Sequence, residues 1–288
     1  MTSRFDHFAA IDWSGAVGQR QPGIAVAVCS AGHDAPALVR PGHIWSRMDV
    51  LEWIVGEMPE NTLVGFDLGQ SLAFADPGAF FPGWADSPTD AKALWALVDR
   101  ICAGEDNLAA SSFVDHPEAS RYFRRHGGRT GDRFGTGSGR FRVTEHAQRA
   151  QGLNPYSNFN LVGAAQVGKS SLTGMRMLHR LGGRVPVWPV DPLPHQGSVI
   201  VEIYTSLAAI AAGLPKGRTK IRDGATLDTA FAMLGSGPHK PLPRYTDHIT
   251  DALLTSAWLR TVAHDPALWS PEGLDAVAQT EGWTFGIR

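Results

Sequence analysis

The sequence predicts an α/β fold organised around a mixed β-sheet. Three observations predict it. Three short strand-like runs open the chain with short connections, a helical pattern then leads to a returning strand, and strand and helix signals alternate again toward the C-terminus. Residues 8–13 (FAAIDW) are apolar and end in a turn at Ser14-Gly15, and residues 23–29 (GIAVAVC) form the second run. The third, residues 37–45, carries Pro41-Gly42 in its middle, which suits an edge strand or two short pieces. The three read as an antiparallel meander. Residues 48–58 (MDVLEWIVGEM) have apolar positions at helical spacing, and residues 62–66 (TLVGF) read as a buried strand ending at Asp67.

From residue 70 to about 160 the pattern changes, and this stretch reads as an inserted loop and helical region within one domain spanning residues 1–288. Proline, glycine and tryptophan punctuate residues 76–88. A helix follows over 89–102, with Thr89 as its N-terminal cap. An arginine- and glycine-rich stretch then runs from 121 to 149. The core pattern resumes with a helix over 168–181 closed by Gly182-Gly183. Residues 198–204 (SVIVEIY) are β-branched and aromatic and make the clearest strand. Helices are expected over 206–212, 223–234 and 245–262, the last with a broad apolar face, and a short one around Asp275. The tail, 282–287, reads as a terminal strand or loop.

Bulk properties narrow the function classes. A chain of 288 residues buries enough apolar surface to fold without staples. Its net charge of -2 gives no global pull toward nucleic acid or membrane, so any attraction to phosphate must come from a local patch. Cys29 and Cys102 make neither a disulfide framework nor a metal pair. The N-terminus lacks the apolar core of a signal peptide, and no apolar stretch of about 18 residues is present. No membrane span and a cytoplasmic location are therefore expected.

Four acids occupy positions unfavourable to a carboxylate unless it serves something. Asp12 follows Ala9-Ala10-Ile11, Asp67 follows Leu63-Val64-Gly65-Phe66, Glu202 sits inside VIVEIY, and Asp251 opens the apolar part of the 245–262 helix. A carboxylate in apolar surroundings costs several kcal/mol unless a cation compensates it. Four together invite Mg²⁺ or Mn²⁺, which prefer oxygen ligands. Asp247 and His248 lie one turn before Asp251 on the same helix face, placed to add a ligand or carry a proton. The competing reading for each acid alone is an exposed strand end or a salt-bridge partner; for Asp247 it is a favourable charge at a helix N-terminus.

The stretches AIDWSG, VGFDLG, VEIYTS, DHITDALLTSAWLR and EGWTFGI, in this order, resemble the predicted nuclease family known as domain of unknown function 429, as does FRVTEHAQRAQGLNPYSNFNLVGAAQVGKSSLTGMRMLHRL. The resemblance runs from Phe8 to Ile287. It implies a ribonuclease H-like fold: a mixed five-stranded sheet flanked by helices, here with a large insertion after the fourth strand. Within it Asp12 matches the first-strand acid and Asp251 the late-helix acid. His248-x-x-Asp251-Ala252 resembles the corresponding motif of RuvC-type helices, and Asp67 and Glu202 match the family's own strand motifs. Thr205 stands where that family often has proline. The mechanism implied is two-metal hydrolysis of a phosphodiester, with Asp12 bridging two ions about 4 Å apart. Asp67, Glu202 and Asp251 would complete the shells, and His248 or Asp247 would position water.

Two further features bear on phosphate. Residues 163–170 (GAAQVGKS) satisfy the P-loop pattern, in which backbone amides, Lys169 and Ser170 would hold a nucleotide. A true P-loop normally follows the first strand of its domain, so contact between Lys169 or Ser170 and a substrate phosphate at a helix N-terminus is the other reading. The arginine-rich stretch offers Arg124, Arg125, Arg140 and Arg142 to a phosphate backbone, with interleaved aromatics able to stack bases. Against this stands a solvated loop, or one whose arginines pair with acids of the core. The sequence thus predicts a metal-dependent phosphodiester hydrolase, a nuclease, with nucleic acid (DNA or RNA) as partner and a homodimer left open. The alternatives are a nucleotide-binding phosphotransferase or ATPase, through the P-loop-like segment or an actin/hexokinase-like use of the fold, and a nucleic-acid-binding protein without turnover.

Overall fold

The computed structural model describes residues 4–162, 167–215 and 220–288. Its centre is a mixed six-stranded sheet, one strand more than expected, in the order β3-β2-β1-β4-β6-β5. The strands are β1 (His7–Asp12), β2 (Ala25–Ser30), β3 (Ala37–Leu38), β4 (Thr62–Asp67), β5 (Val187–Trp188) and β6 (Val199–Glu202). β2 pairs antiparallel with β1 and β3, while β1, β4, β6 and β5 run parallel to one another. The extra strand is β5, two residues on the sheet edge. Pro186 and Pro189 flank it, and prolines hide a strand from pattern reading. The meander, the buried central strand and the edge position of β3 agree with the sequence reading. The tail adds one parallel bridge, Thr284 to Glu202.

Alternation along the strands divides the interior in two. Ala9, Ile11, Val64, Phe66 and Ile200 point to one face, whereas Phe8, Ala10, Leu63, Val199 and Val201 point to the other. The first face is covered by α1 (Arg47–Gly56), α2 (Ala91–Ile101) and α5 (Val167–Leu181). α6 (Thr205–Ala211), α7 (Gly224–Met233), α8 (Asp247–Val262) and α9 (Leu274–Val277) cover the second. α8 lies directly on β1 and β2, and Gly65 of β4 is bare where it meets α8: a Cβ there would come 2.9 Å from Leu259 Cδ1.

Residues 70–160 pack on the first face and share its core. Phe81, Phe113, Phe123 and Phe159 sit in one ring cluster, continuous with Ile11, Val64 and Phe66. The helix expected over 89–102 is α2, but its cap is Asp90, whose carboxylate accepts from Ala93 N at 2.9 Å. α3 (Ser111–Asp115) and α4 (Val143–Ala150) are helices that the sequence reading left as loop. At 5 and 8 residues they are too short to show a helical period. Among the described residues no helix is long and apolar enough to cross a membrane.

Candidate functional site

Asp12 and Asp67 are the last residues of β1 and β4 and are direct register partners. Because the strands are parallel, both carboxylates emerge at the same C-terminal edge. Strand alternation turns both toward the face covered by α8. There α8 presents His248 and Asp251, three residues apart on one side of the helix. Four of the predicted site residues are thus brought together by two adjacent strand ends and one helix start. Thr246 caps that helix, accepting from Ile249 N at 3.4 Å, and fixes where its first turn begins.

The local charges are unbalanced. Asp12 Oδ1 meets His248 Nδ1 at 2.9 Å, and Asp251 accepts from Lys220 Nζ at 2.9 Å. Asp67 has no hydrogen bond or ion pair to its carboxylate among the described residues. Burial, then the negative charges of Asp12 and Asp251, hold the Asp67 carboxyl well above the usual carboxylate range. Burial also pushes Asp12 up, although His248 pulls against it. The hydrogen bond to Asp12 raises His248 above the ordinary imidazole value. Asp67, His248, Ser14 and Ser170 line a cavity of about 470 Å³ that also includes Tyr156 and Tyr204.

Glu202 lines the same cavity, with Arg142, Glu145 and Thr284, but approaches it from the other face of the sheet. In β6, Val199 and Val201 face α8, so the next alternate position turns Glu202 to the opposite face. There both its oxygens are engaged. Arg142 Nη1 and Nη2 donate at 2.8 and 2.6 Å, Gln70 N at 2.8 Å, and Thr284 Oγ1 at 2.6 Å. Arg142 is itself buried and also holds Glu145, through Nε at 2.8 Å. With all its nitrogens engaged inside the protein, Arg142 is a structural cation and not a free phosphate ligand.

The other arginines of this stretch differ among themselves. Arg140 donates to Asp76 and to the carbonyls of Ala73, Ala79 and Phe80, which leaves it no free donor face. Arg125 pairs with Asp115 at 3.0 Å, and Arg124 is exposed beside its backbone bridges to Thr130 and Asn160. The stretch is tied to its surroundings by ion pairs, the reading that competed with a phosphate-binding loop. Asp247 turns from the cluster to Arg222, with Lys220 at 3.7 Å.

Residues 163–166 of the P-loop-like segment lie outside the described residues. Residues 159–162 form no strand, only an isolated bridge at Asn160. Lys169 and Ser170 sit in the first turn of α5. They lie on different sides of one loop: Ser170 lines the cavity beside Asp67, while Lys169 Nζ lies 2.8 Å from His126 Nε2. The loop is residues 14–16, and its closeness to α5 explains Gly15, where a Cβ would stand 2.4 Å from Lys169 C and Ser170 N. Arg47 anchors the loop by donating to the carbonyls of Ser14 and Ala16 at 3.0 and 2.5 Å. Pattern reading misses Arg47, because nothing around it in sequence marks a buried cation. It sees Lys220 only as part of a surface basic run.

Mg²⁺ or Mn²⁺ can be judged against these side chains. Among the described residues no group of three or more His, Cys, Asp or Glu side chains is gathered so as to hold a metal ion. The donors themselves are hard oxygens, and the ammonium of Lys220, half exposed, already lies where a cation satisfies Asp251. Asp67 is a desolvated carboxylate beside two others with no cation of its own, the state that a divalent ion relieves. Asp12, Asp67 and Asp251 thus have the donor chemistry such an ion takes, but their side chains are not gathered as a metal site among the described residues. No family model matches the chain, and neither a curated protein nor a solved structure was found to be similar to it.

Proposed function

We propose that the protein is a metal-dependent phosphodiester hydrolase of ribonuclease H-like type, acting on nucleic acid. The observation that carries the reading is the uncompensated Asp67 carboxylate, register-paired with Asp12, faced by Asp251 and open to a cavity of about 470 Å³. The sheet supports it: it is mixed and flanked by helices, as the reading expects, and in the described sheet β2 alone runs against the other strands. Asp12, Asp67 and Asp251 would hold Mg²⁺ or Mn²⁺, which would supply an activated water and charge neutralisation at the phosphate.

The chain's own groups do the rest. Asp12 fixes the His248 ring through Nδ1, which leaves Nε2 to give a proton to the departing oxygen. Asp12 also keeps that ring protonated to higher pH than a free imidazole. Tyr156 and Tyr204 on the cavity wall offer ring faces to a base. Admitting a cation would require the Lys220 ammonium to leave Asp251 and the three carboxylates to draw together, and Lys220 is exposed enough to swing away.

The test is cleavage of end-labelled single- and double-stranded DNA and RNA with Mg²⁺ or Mn²⁺. Asp67→Asn and Asp12→Asn should each lower the rate by about 100-fold or more, beyond the usual effect of removing an outer partner of a metal ligand. Absence of cleavage with either metal on every substrate, or cleavage unchanged in both variants, refutes the reading.

A further inference from the structure

A second, smaller cavity of about 180 Å³ lies across the residue 14–16 loop from the carboxylates, sharing Gly15 and Ala16 as its wall. Arg47, Arg125, Arg129 and Lys169 line it, and their charges are not matched. Arg47 is only 1% exposed, yet its guanidinium meets carbonyls alone: Ser14 O at 3.0 Å, Asn107 O at 2.8 Å and Ala16 O at 2.5 Å. Burial and the nearby charge of Arg176 push that guanidinium down to about 10. Arg125 and Arg129 share one Asp115 oxygen, at 3.0 and 3.9 Å. The buried Nε of Arg125 has no acceptor among the described residues. Lys169 Nζ has His126 Nε2 at 2.8 Å but no carboxylate partner among the described residues. Four cations thus face one carboxylate, on a floor of Leu161, Leu172 and Val114.

A buried cation without a counter-ion is costly, and an anion supplied from solution removes that cost. The volume equals about six waters, room for a tetrahedral oxyanion. From these observations we propose that the cavity binds a phosphate group. In the substrate strand this is the phosphate flanking the one presented to Asp12 and Asp67, an assignment that rests on the phosphodiesterase reading. Carboxylates repel a phosphodiester, and a positive cavity at their lip offsets that repulsion and sets the register of the strand. A nucleoside polyphosphate offers the same chemistry from a different source.

Binding measured by calorimetry on metal-free protein separates these cases without turnover. Inorganic phosphate should bind the wild type and bind at least tenfold more weakly to Lys169→Gln and to Arg129→Gln, both at partly exposed positions where folding is not at stake. A thymidine dinucleotide carrying a terminal phosphate should bind tenfold more tightly than the same dinucleotide without it, and this gain should vanish in Lys169→Gln. No phosphate binding in the wild type, or binding unchanged in both variants, overturns the proposal. ATP binding tenfold tighter than the phosphorylated dinucleotide overturns the substrate-strand assignment. Phosphate binding that behaves as expected, in a protein that cleaves nothing with Mg²⁺ or Mn²⁺, supports the cavity and removes the hydrolase reading alone.

Discussion

Replacing Arg142 by methionine tests whether Glu202 is a structural or a functional acid. Arg142, Glu145 and Glu202 form a buried triad with side chains only 2–4% exposed. Arg142→Met keeps the bulk of the stem but strands two carboxylates away from water. Removing one partner of a buried ion pair costs about 3–5 kcal/mol. At about 2–4 °C per kcal/mol for a chain of this size, Tm should fall by roughly 6–20 °C at pH 8. The deficit should shrink toward pH 5, because protonating the stranded carboxylates removes the buried charges. Thermal denaturation followed by circular dichroism at both pH values measures this. Glu202→Gln, which leaves Arg142 with Glu145, should cost less and should leave Mn²⁺ affinity within about threefold of wild type, since both Glu202 oxygens are already taken by Arg142, Gln70 and Thr284. The reasoning is refuted if Arg142→Met loses less than ~1 kcal/mol at pH 8, or if Glu202→Gln binds Mn²⁺ tenfold more weakly.

The remaining predictions concern the acidic cluster and its loop. Asp67 has its folded-state pKa raised by burial and like charges, so ionising it costs stability. That cost is absent below the ordinary carboxylate value, grows as pH rises above it and is complete once pH passes the raised one. Asp67→Asn should therefore make the metal-free protein more stable than wild type at pH 8, by ~1 kcal/mol or more, and abolish stabilisation by Mn²⁺. Urea unfolding in EDTA between pH 5 and 8 checks it, and a less stable variant at pH 8 contradicts it. His248 is raised by its bond to Asp12, so its contribution is full below the unfolded imidazole value and lost as pH rises through the folded one. His248→Ala should accordingly destabilise more at pH 5.5 than at pH 8, and equal losses at the two pH values count against the Asp12–His248 pair. Gly15→Ala places a Cβ 2.4 Å from the backbone of Lys169 and Ser170, so the loop must move. A loss of about 1–3 kcal/mol together with weaker phosphate binding is expected; an unperturbed Tm would mean that the loop is not pinned against α5.

Much of the framework is legible in sequence because it depends on local pattern. The meander, the buried central strand and the long C-terminal helix each carry their own periodicity. Asp12 and Asp67 are legible as acids closing apolar strands, and His248 and Asp251 as neighbours on one helical face. Glu202 is misleading because β6 is buried on both faces, so Val199, Ile200 and Val201 show no alternation from which its side could be read. The arginines are illegible for a different reason. Whether Arg140 or Arg142 faces solvent depends on Asp76, Glu145, Glu202 and the carbonyls around them, and two of these partners lie about 60 residues away in sequence. Spacing does not encode such long-range pairings.

What separates a functional acid from a structural one here is whether the fold supplies its counter-ion. Glu202 receives a guanidinium, an amide and a hydroxyl, all fixed and buried, and has no valence left for chemistry. Asp67 receives none among the described residues, although Arg47 and Lys169 lie only one loop away. Had the residue 14–16 loop let those cations through, they would have closed onto the carboxylates as Arg142 closes onto Glu202. Arg47 instead uses its donors on the carbonyls of Ser14 and Ala16, holding in place the loop that keeps the two charge pools apart. Each pool is left short of an ion of opposite sign, one of a cation and the other of an anion, and on the proposed reading a metal-bound phosphodiester strand would bring both.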